Sequence, residues 1–336
     1  YWKKRIFLLC WLAYTLAYLG RINLSVAIPL MENSLALDKT SLGFIGSVFF
    51  WVYAFGQLIN GRLGDKFACR DFVFAGLLVS AIFNILFGFT TNLYVMTILW
   101  AFNGYFQSML WGPLMKTINQ WFPSEQKSKI ALYMFSSVVS GFLLTWGCLG
   151  QISSYTGWKG IFWIPGAVLI TYSFIWYIFV RNNPEEVGMG LHYVDIKEHT
   201  EDKELEDTAI KNTQSSPQSA SRTNNNENRS SSIFNLISRP ELYLIAIAGI
   251  PLGFIREGIS LWSPTMLYET FQLNLQSTIG AAILIPLFNF IGVIAARLLI
   301  AKFYNKETKL IFIFFAAGIL GCIFLYFFGA SSIIVY

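Results

Sequence analysis

The chain has 336 residues, 55% hydrophobic and 17% aromatic but only 13% charged, and a mean hydropathy of +0.52. Soluble domains carry about 25% charged residues, so the composition excludes an ordinary water-soluble fold and points to a protein of the lipid bilayer. The four cysteines (Cys10, Cys69, Cys148, Cys322) are scattered without CxxC spacing, which argues against a disulfide framework or a zinc site.

Taken in chain order, nine apolar stretches reach the length that crosses a bilayer as a helix: approximately 6–30, 41–61, 72–90, 93–118, 130–152, 160–180, 241–268, 277–300 and 308–336. No strand-like alternation competes with them, and an open sheet would leave unpaired backbone groups in lipid, so the expected fold is an all-α polytopic bundle. Pro113 of "WGP" predicts a kink in the fourth span, because proline supplies no donor and crowds the preceding turn. Gly141, Gly147 and Gly150 in the fifth predict close helix packing. The chain opens on Tyr1 and stops at Tyr336 inside an apolar run, as expected of a fragment. Its first apolar run is long enough to remain as an anchor.

Loop charges set the expected orientation. Lys3, Lys4 and Arg5 precede the first span; Arg62, Lys66 and Arg70 follow the second; Lys127 and Lys129 follow the fourth; Lys302, Lys306 and Lys309 lie between the last two. The opposite loops hold little beyond Lys39 and Lys159, which predicts a cytoplasmic N-terminus and cytoplasmic even-numbered loops. Residues 181–238 are charged, then rich in Ser and Asn, and predict a largely disordered cytoplasmic linker, with a regulatory tail as the alternative. The linker divides a six-span N-terminal half (1–180) from three further spans (239–336), and both histidines, His192 and His199, fall within it.

Arg21 and Arg256 stand out as permanent charges deep in the first and seventh spans. From each, Ser follows at +4, Pro at +8 and Met at +10, and the arginines lie 235 residues apart, which suggests duplicated six-helix halves and a complete protein of twelve spans. An arginine at mid-membrane costs at least about 2.5 kcal/mol and cannot shed its proton, so both should face the interior. Two opposed guanidinium forks favour a compact oxyanion. The alternative is a snorkelling or internally paired arginine, and Glu257 beside Arg256 is the one carboxylate deep in a span.

The stretches "YLGRINLSVAIP", "VYAFGQLINGRLGD", "FNGYFQSMLWGPLMKTINQWF" and "FIREGISLWSPTMLYE" resemble the organophosphate:phosphate antiporters, the glycerol-3-phosphate and hexose-phosphate exchangers of the major facilitator superfamily. The resemblance implies the major facilitator fold of two six-helix halves, about nine of whose twelve helices are present here. It also implies alternating access, inorganic phosphate as one exchanged ligand, and Arg21 and Arg256 gripping the phosphoryl group. Tyr14, Tyr18 and Tyr53 fall where tyrosines line the family's cavity; Tyr14, Tyr18 and Arg21 share one face of an unbroken helix by spacing. Gln57 stands where the glycerol-3-phosphate exchangers carry lysine, Ser137 where they carry histidine, and Ile22 replaces a lysine, so positive charge and a titratable ring are missing.

Gly61, Asp65, Lys66 and Arg70 resemble the superfamily's cytoplasmic loop, expected to act as a conformational latch, and Lys116 is expected to snorkel to the cytoplasmic surface. The absence of a membrane histidine, a nucleophile triad or a ligand cluster argues against an enzyme; no cofactor, metal or nucleic-acid partner is expected. The expected protein is a monomer in the plasma (inner) membrane, exchanging a phosphorylated organic anion for inorganic phosphate. Two alternatives remain at this point: a proton-coupled organic-anion symporter using Glu257 as its proton site, and a transporter-like sugar-phosphate sensor.

Overall fold

The computed structural model describes residues 1–188, 240–271, 275–302 and 307–328. Every regular element among them is helical. The helices are α1 (Trp2–Leu19), α2 (Asn23–Leu35), α3 (Lys39–Lys66), α4 (Cys69–Phe87), α5 (Leu93–Gln107), α6 (Trp111–Trp121), α7 (Ser124–Phe179), α8 (Pro240–Phe271), α9 (Leu275–Ala282), α10 (Leu284–Lys302) and α11 (Glu307–Phe328). The apolar stretches map onto them, with three differences that matter. The first span is broken between α1 and α2 and the fourth between α5 and α6, while the fifth and sixth run together as α7 and reverse at Gly157. Gly157 has φ 63° and ψ −165°, a conformation that a Cβ would strain.

The break in the fourth span covers residues 108–110, one turn before Pro113. A proline at the third position of α6 needs no intrahelical donor there, so the helix restarts around it instead of bending through it. Asn60 of α3 braces the break by donating to Ser108 Oγ at 2.7 Å.

The chain forms two compact units, Tyr1–Ile283 and Leu284–Tyr336. In the first, α4 packs on α5 and α7, α3 on α5, and α1 on α7. Gly141 permits the last contact: a Cβ there would lie 2.5 Å from Tyr18 Cβ. Two apolar clusters result. One gathers Met31, Leu42, Phe49, Trp100, Trp146 and Leu261; the other Ile6, Cys10, Leu110, Trp121, Met134 and Trp176. Because α8 lies against α2 and α9 against α7, the seventh span is tied to the N-terminal half near the end that carries Lys39. There Lys39 Nζ lies 2.5 Å from Glu269 Oε1. The second unit contains α10 and α11, packed on each other.

Most of the expected linker, from residue 189 onward, lies outside the described residues. Its first residues, 181–188, are among those described and carry a 3-10 turn over Pro184–Val187. Asn182 holds them down, its side chain accepting Arg70 N–H at 2.9 Å near the start of α4 and its carbonyl accepting Trp121 Nε1–H at 3.1 Å.

Candidate anion-binding site

The break in the first span builds the site. Arg21 is not the third member of a continuous helical face, as its spacing from Tyr14 and Tyr18 predicts; it sits in a turn of Gly20, Arg21 and Ile22 between α1 and α2. Arg21 N–H and Ile22 N–H both donate to Tyr18 O at 3.1 Å, which tightens the last turn of α1. A turn in the membrane interior frees carbonyls that lipid cannot satisfy, and buried amides take them up. Gly20 O accepts Asn84 Nδ2 from α4 and Asn103 Nδ2 from α5, each at 2.8 Å, and Ala17 O accepts Gln107 Nε2 at 3.2 Å. These amides are themselves oriented: Asn23 Nδ2 donates to Asn84 Oδ1 at 3.0 Å, and Ser80 Oγ donates to Asn103 Oδ1 at 2.6 Å. Gly20 is required by proximity, since a Cβ there would lie 2.8 Å from Asn84 Nδ2 and 2.9 Å from Leu169 Cδ1.

Arg21 leaves this turn where the two apolar clusters meet, Tyr18 packing against one and Tyr53 against the other. It is 9% exposed. Its guanidinium carbon lies 4.2 Å from the ring centre of Tyr53, 5.3 Å from Tyr18 and 5.9 Å from Phe49, so three aromatic faces supply its immediate partners. Among the described residues, none of the ion pairs or side-chain hydrogen bonds involves this guanidinium. Five N–H donors are therefore left without a hydrogen-bonded or ion-paired acceptor among the described residues.

The other expected residues divide sharply. Tyr14 packs edge-on against Tyr18 at 5.4 Å and at a tilt against Trp111 at 4.6 Å, extending the aromatic wall. Gln57 joins through Tyr53, donating Nε2–H to its hydroxyl at 2.8 Å, which leaves the Tyr53 proton available to another acceptor. Ser137 does not join them. It is fully buried, its hydroxyl is bonded to Met134 O and its carbonyl accepts Thr15 Oγ1, so here it is a packing residue of the α1–α7 contact and not a cavity-lining one.

Arg256 departs from the symmetric picture. Its side chain is 67% exposed, and it donates to Glu257 Oε1 from Nε at 3.0 Å and from Nη2 at 2.6 Å. Adjacent helical positions point about 100° apart, yet the arginine stem is long enough to fold back across that angle. Glu257 itself is the less exposed partner of this pair, at 22%.

At the other end of α3, Gly61, Asp65, Lys66 and Arg70, the residues expected to form a latch, lie around the junction of α3 and α4. Lys116 joins them: its Nζ donates to Gly64 O at 3.0 Å and Asp65 O at 3.3 Å and lies 3.8 Å from Asp65 Oδ1, capping α3 instead of reaching freely into water. Arg70 lies over the Tyr177 ring at 4.9 Å and pairs with Asp71 at 3.3 Å. Among the described residues, no group of acidic, His or Cys side chains could hold a metal ion. Sequence reasoning passed over Asn23, Asn84, Asn103 and Gln107. Their signal was present, because an amide inside a span is rare unless it holds something.

The sequence profile of the Major Facilitator Superfamily matches residues 10–336. The chain belongs to the major facilitator superfamily. Members of this family are integral membrane transporters, and the chain is a transporter-family protein rather than an enzyme. Within the family it is 27% identical over 293 residues to a probable hexose phosphate transport protein of Chlamydia trachomatis, a match covering 87% of this chain and 62% of that protein. It is 26% identical to the glycerol-3-phosphate transporter of Bacillus subtilis, covering 96% and 70%, and 25% identical to the membrane sensor protein UhpC of Escherichia coli, covering 95% and 70%. These are the relatives expected of the organophosphate:phosphate antiporter resemblance. The chain spans 62% of the length of the chlamydial relative. A solved bacterial homologue of the lysosomal transporter Spinster shares the fold, with a TM-score of 0.68 at 13% identity over 91% of this chain and 64% of that one.

Proposed function

We propose that the protein carries phosphorylated organic anions, of the sugar-phosphate or glycerol-phosphate class, across the plasma membrane in exchange for inorganic phosphate. One observation carries this reading: a buried guanidinium with all its donors unspent, held by Tyr18, Phe49 and Tyr53. Burial of an unpaired cation is expensive, and a mobile anion that arrives with its own charge removes that penalty. The relatives named for hexose phosphate and glycerol 3-phosphate support the substrate class.

With the N-terminus and linker cytoplasmic, the contacts of α8 with α2 and the Lys39–Glu269 pair lie at the outer end of the bundle, and in this reading they hold that end closed. The protein works as a monomer in this reading. Arriving phosphate engages Arg21 through a bidentate contact and accepts from the Tyr18 and Tyr53 hydroxyls. It also competes with Glu257 for Arg256, so the Arg256–Glu257 pair is the resting state of the second half of the grip. This alters the electrostatics expected of two bare arginines: only Arg21 is uncompensated when the carrier is empty, and that single buried charge disfavours reorientation without ligand.

Proteoliposomes preloaded with inorganic phosphate, and matched liposomes without it, test the reading. Uptake of labelled phosphate and of a panel of sugar phosphates should require the internal phosphate and should respond little to an imposed pH gradient. Accumulation in phosphate-free vesicles driven by protons, abolished by Glu257→Gln, would overturn exchange in favour of symport.

A further inference from the structure

We propose that Asn84 and Asn103 are positioning residues for anion binding: by jointly holding the carbonyl of Gly20 they fix the turn from which Arg21 projects. The proposal rests on the reading that Arg21 binds the substrate anion, and it adds residues that touch neither Arg21 nor the anion.

Three features of the geometry support it. First, both amides donate to one oxygen at 2.8 Å, so both lone pairs of Gly20 O are used by side chains from two different helices, α4 and α5. An orphaned carbonyl at a membrane break needs a single donor to be satisfied; a second donor from another direction fixes where the peptide plane points, and Arg21 is the next residue. Second, each amide is locked from behind. Asn23 Nδ2 holds Asn84 Oδ1 at 3.0 Å, and Ser80 Oγ holds Asn103 Oδ1 at 2.6 Å. Asn23, Ser80, Asn84 and Asn103 are all buried, at 0–1% exposure, so water does not substitute for a lost partner. Third, Asn23 lies on the far side of the turn from Gly20 and also donates to Ile161 O at 3.1 Å. The network therefore clamps both ends of the break, the end of α1 through Gly20 and the start of α2 through Asn23. The guanidinium gains no rigidity from ion pairs or hydrogen bonds of its own, so its reach toward an anion is set by this turn and by the aromatic faces around it. Displacement of a binding group by about 1 Å is enough to lose much of an oriented contact.

The test is a double-mutant cycle on the affinity of the intact protein, in lipid nanodiscs, for inorganic phosphate. Asn103→Leu removes a donor while Asn84 still satisfies the carbonyl, so the bundle should fold, and thermal unfolding checks that it does. It should raise the phosphate Kd about fivefold per folded protein, the size of one ordinary buried hydrogen bond. Asn84→Leu should do the same. In an Arg21→Lys background, which has lost the fork being positioned, either substitution should change Kd by less than about 1.5-fold, because residues acting through one group are not additive. A merely structural role would lower the unfolding temperature and leave both affinities alone. If Asn103→Leu does not fold, Ser80→Ala keeps the donor and frees its orientation, and should raise Kd about twofold by the same non-additive route.

The inference falls if Arg21→Lys weakens phosphate at least tenfold while the asparagine and serine substitutions have no effect, or have an equal effect in both backgrounds. If the unsubstituted protein does not bind phosphate, or Arg21→Lys is harmless, the site reading fails first and takes this inference with it.

Discussion

The two arginine regions begin from one pattern and end in different structures. Around Arg21 and Arg256 the sequence keeps Ser, Pro and Met at equal distances, and both serines bond back to a carbonyl of the preceding turn, Ser25 to Ile22 O and Ser260 to Arg256 O. The neighbours differ. Gly20 corresponds to Ile255, Ile22 to Glu257 and Asn23 to Gly258. With glycine at the close approach and asparagine at the restart, the first span breaks and buries its arginine against aromatic faces. With isoleucine there, α8 runs helical through Arg256, which takes the adjacent Glu257 as counter-ion. The comparison shows that one arginine pattern yields an arginine without an ion-pair partner where the backbone breaks, and a carboxylate-paired arginine where the helix continues.

The sharpest way to break this comparison is to swap the fork for a point charge on each side. Arg21→Lys should lower phosphate exchange at least tenfold, because lysine keeps charge but cannot make two parallel bonds in the same plane. Arg256→Lys should lower it too, by less, since its side chain is already shared with Glu257. Equal exchange in both variants and the parent would end the two-arginine account.

Gly20→Ala comes next. Its Cβ would meet Asn84 Nδ2 at 2.8 Å and Leu169 Cδ1 at 2.9 Å, so the turn must shift, at a cost of about 1–3 kcal/mol in unfolding free energy. The reciprocal Ile255→Gly meets no such constraint and should lose about 1 kcal/mol of helix stability and some apolar packing, without creating a buried arginine. Thermal unfolding of the pair, with phosphate exchange beside it, distinguishes a required glycine from an incidental one.

Glu257→Gln should leave exchange within about twofold and tighten phosphate a few-fold, because it removes the carboxylate that competes for Arg256. Weaker phosphate binding in this variant would mean that Glu257 organises the site instead of guarding it. The smallest effect is expected at the outer pair. Lys39→Ala breaks an ion pair whose side chains are both more than 40% exposed and screened by solvent, so the balance between closed and open outer ends should shift by less than about fivefold in spectroscopic distance measurements.

Much of the frame was legible in the sequence. Apolar runs of spanning length correspond to helices because a bilayer permits little else, and Arg21 drew notice because a permanent charge in such a run needs a reason. The break at Gly20 was not legible. A single glycine in an apolar run is compatible with an unbroken helix, and only the arrival of Asn84 and Asn103 from helices far along the chain makes the turn stable. The placement of Ser137 was hidden for a related reason: its position in the fifth span is taken from a resembling family, but a serine hydroxyl can reach its own helix's carbonyl, and here it does. The Arg256–Glu257 pair was legible only as an alternative, because helical angles describe Cβ directions and not the reach of an arginine.

The central claim is that the Arg21 guanidinium is the primary anion contact, and a structure determined with inorganic phosphate bound tests it most directly. The account predicts a phosphate with two oxygens at ~2.8 Å from the Arg21 fork and further contacts to the Tyr18 and Tyr53 hydroxyls, with Arg256 drawn away from Glu257. Phosphate bound elsewhere, with Arg21 still enclosed by its three aromatic rings and Arg256 still paired to Glu257, would contradict it.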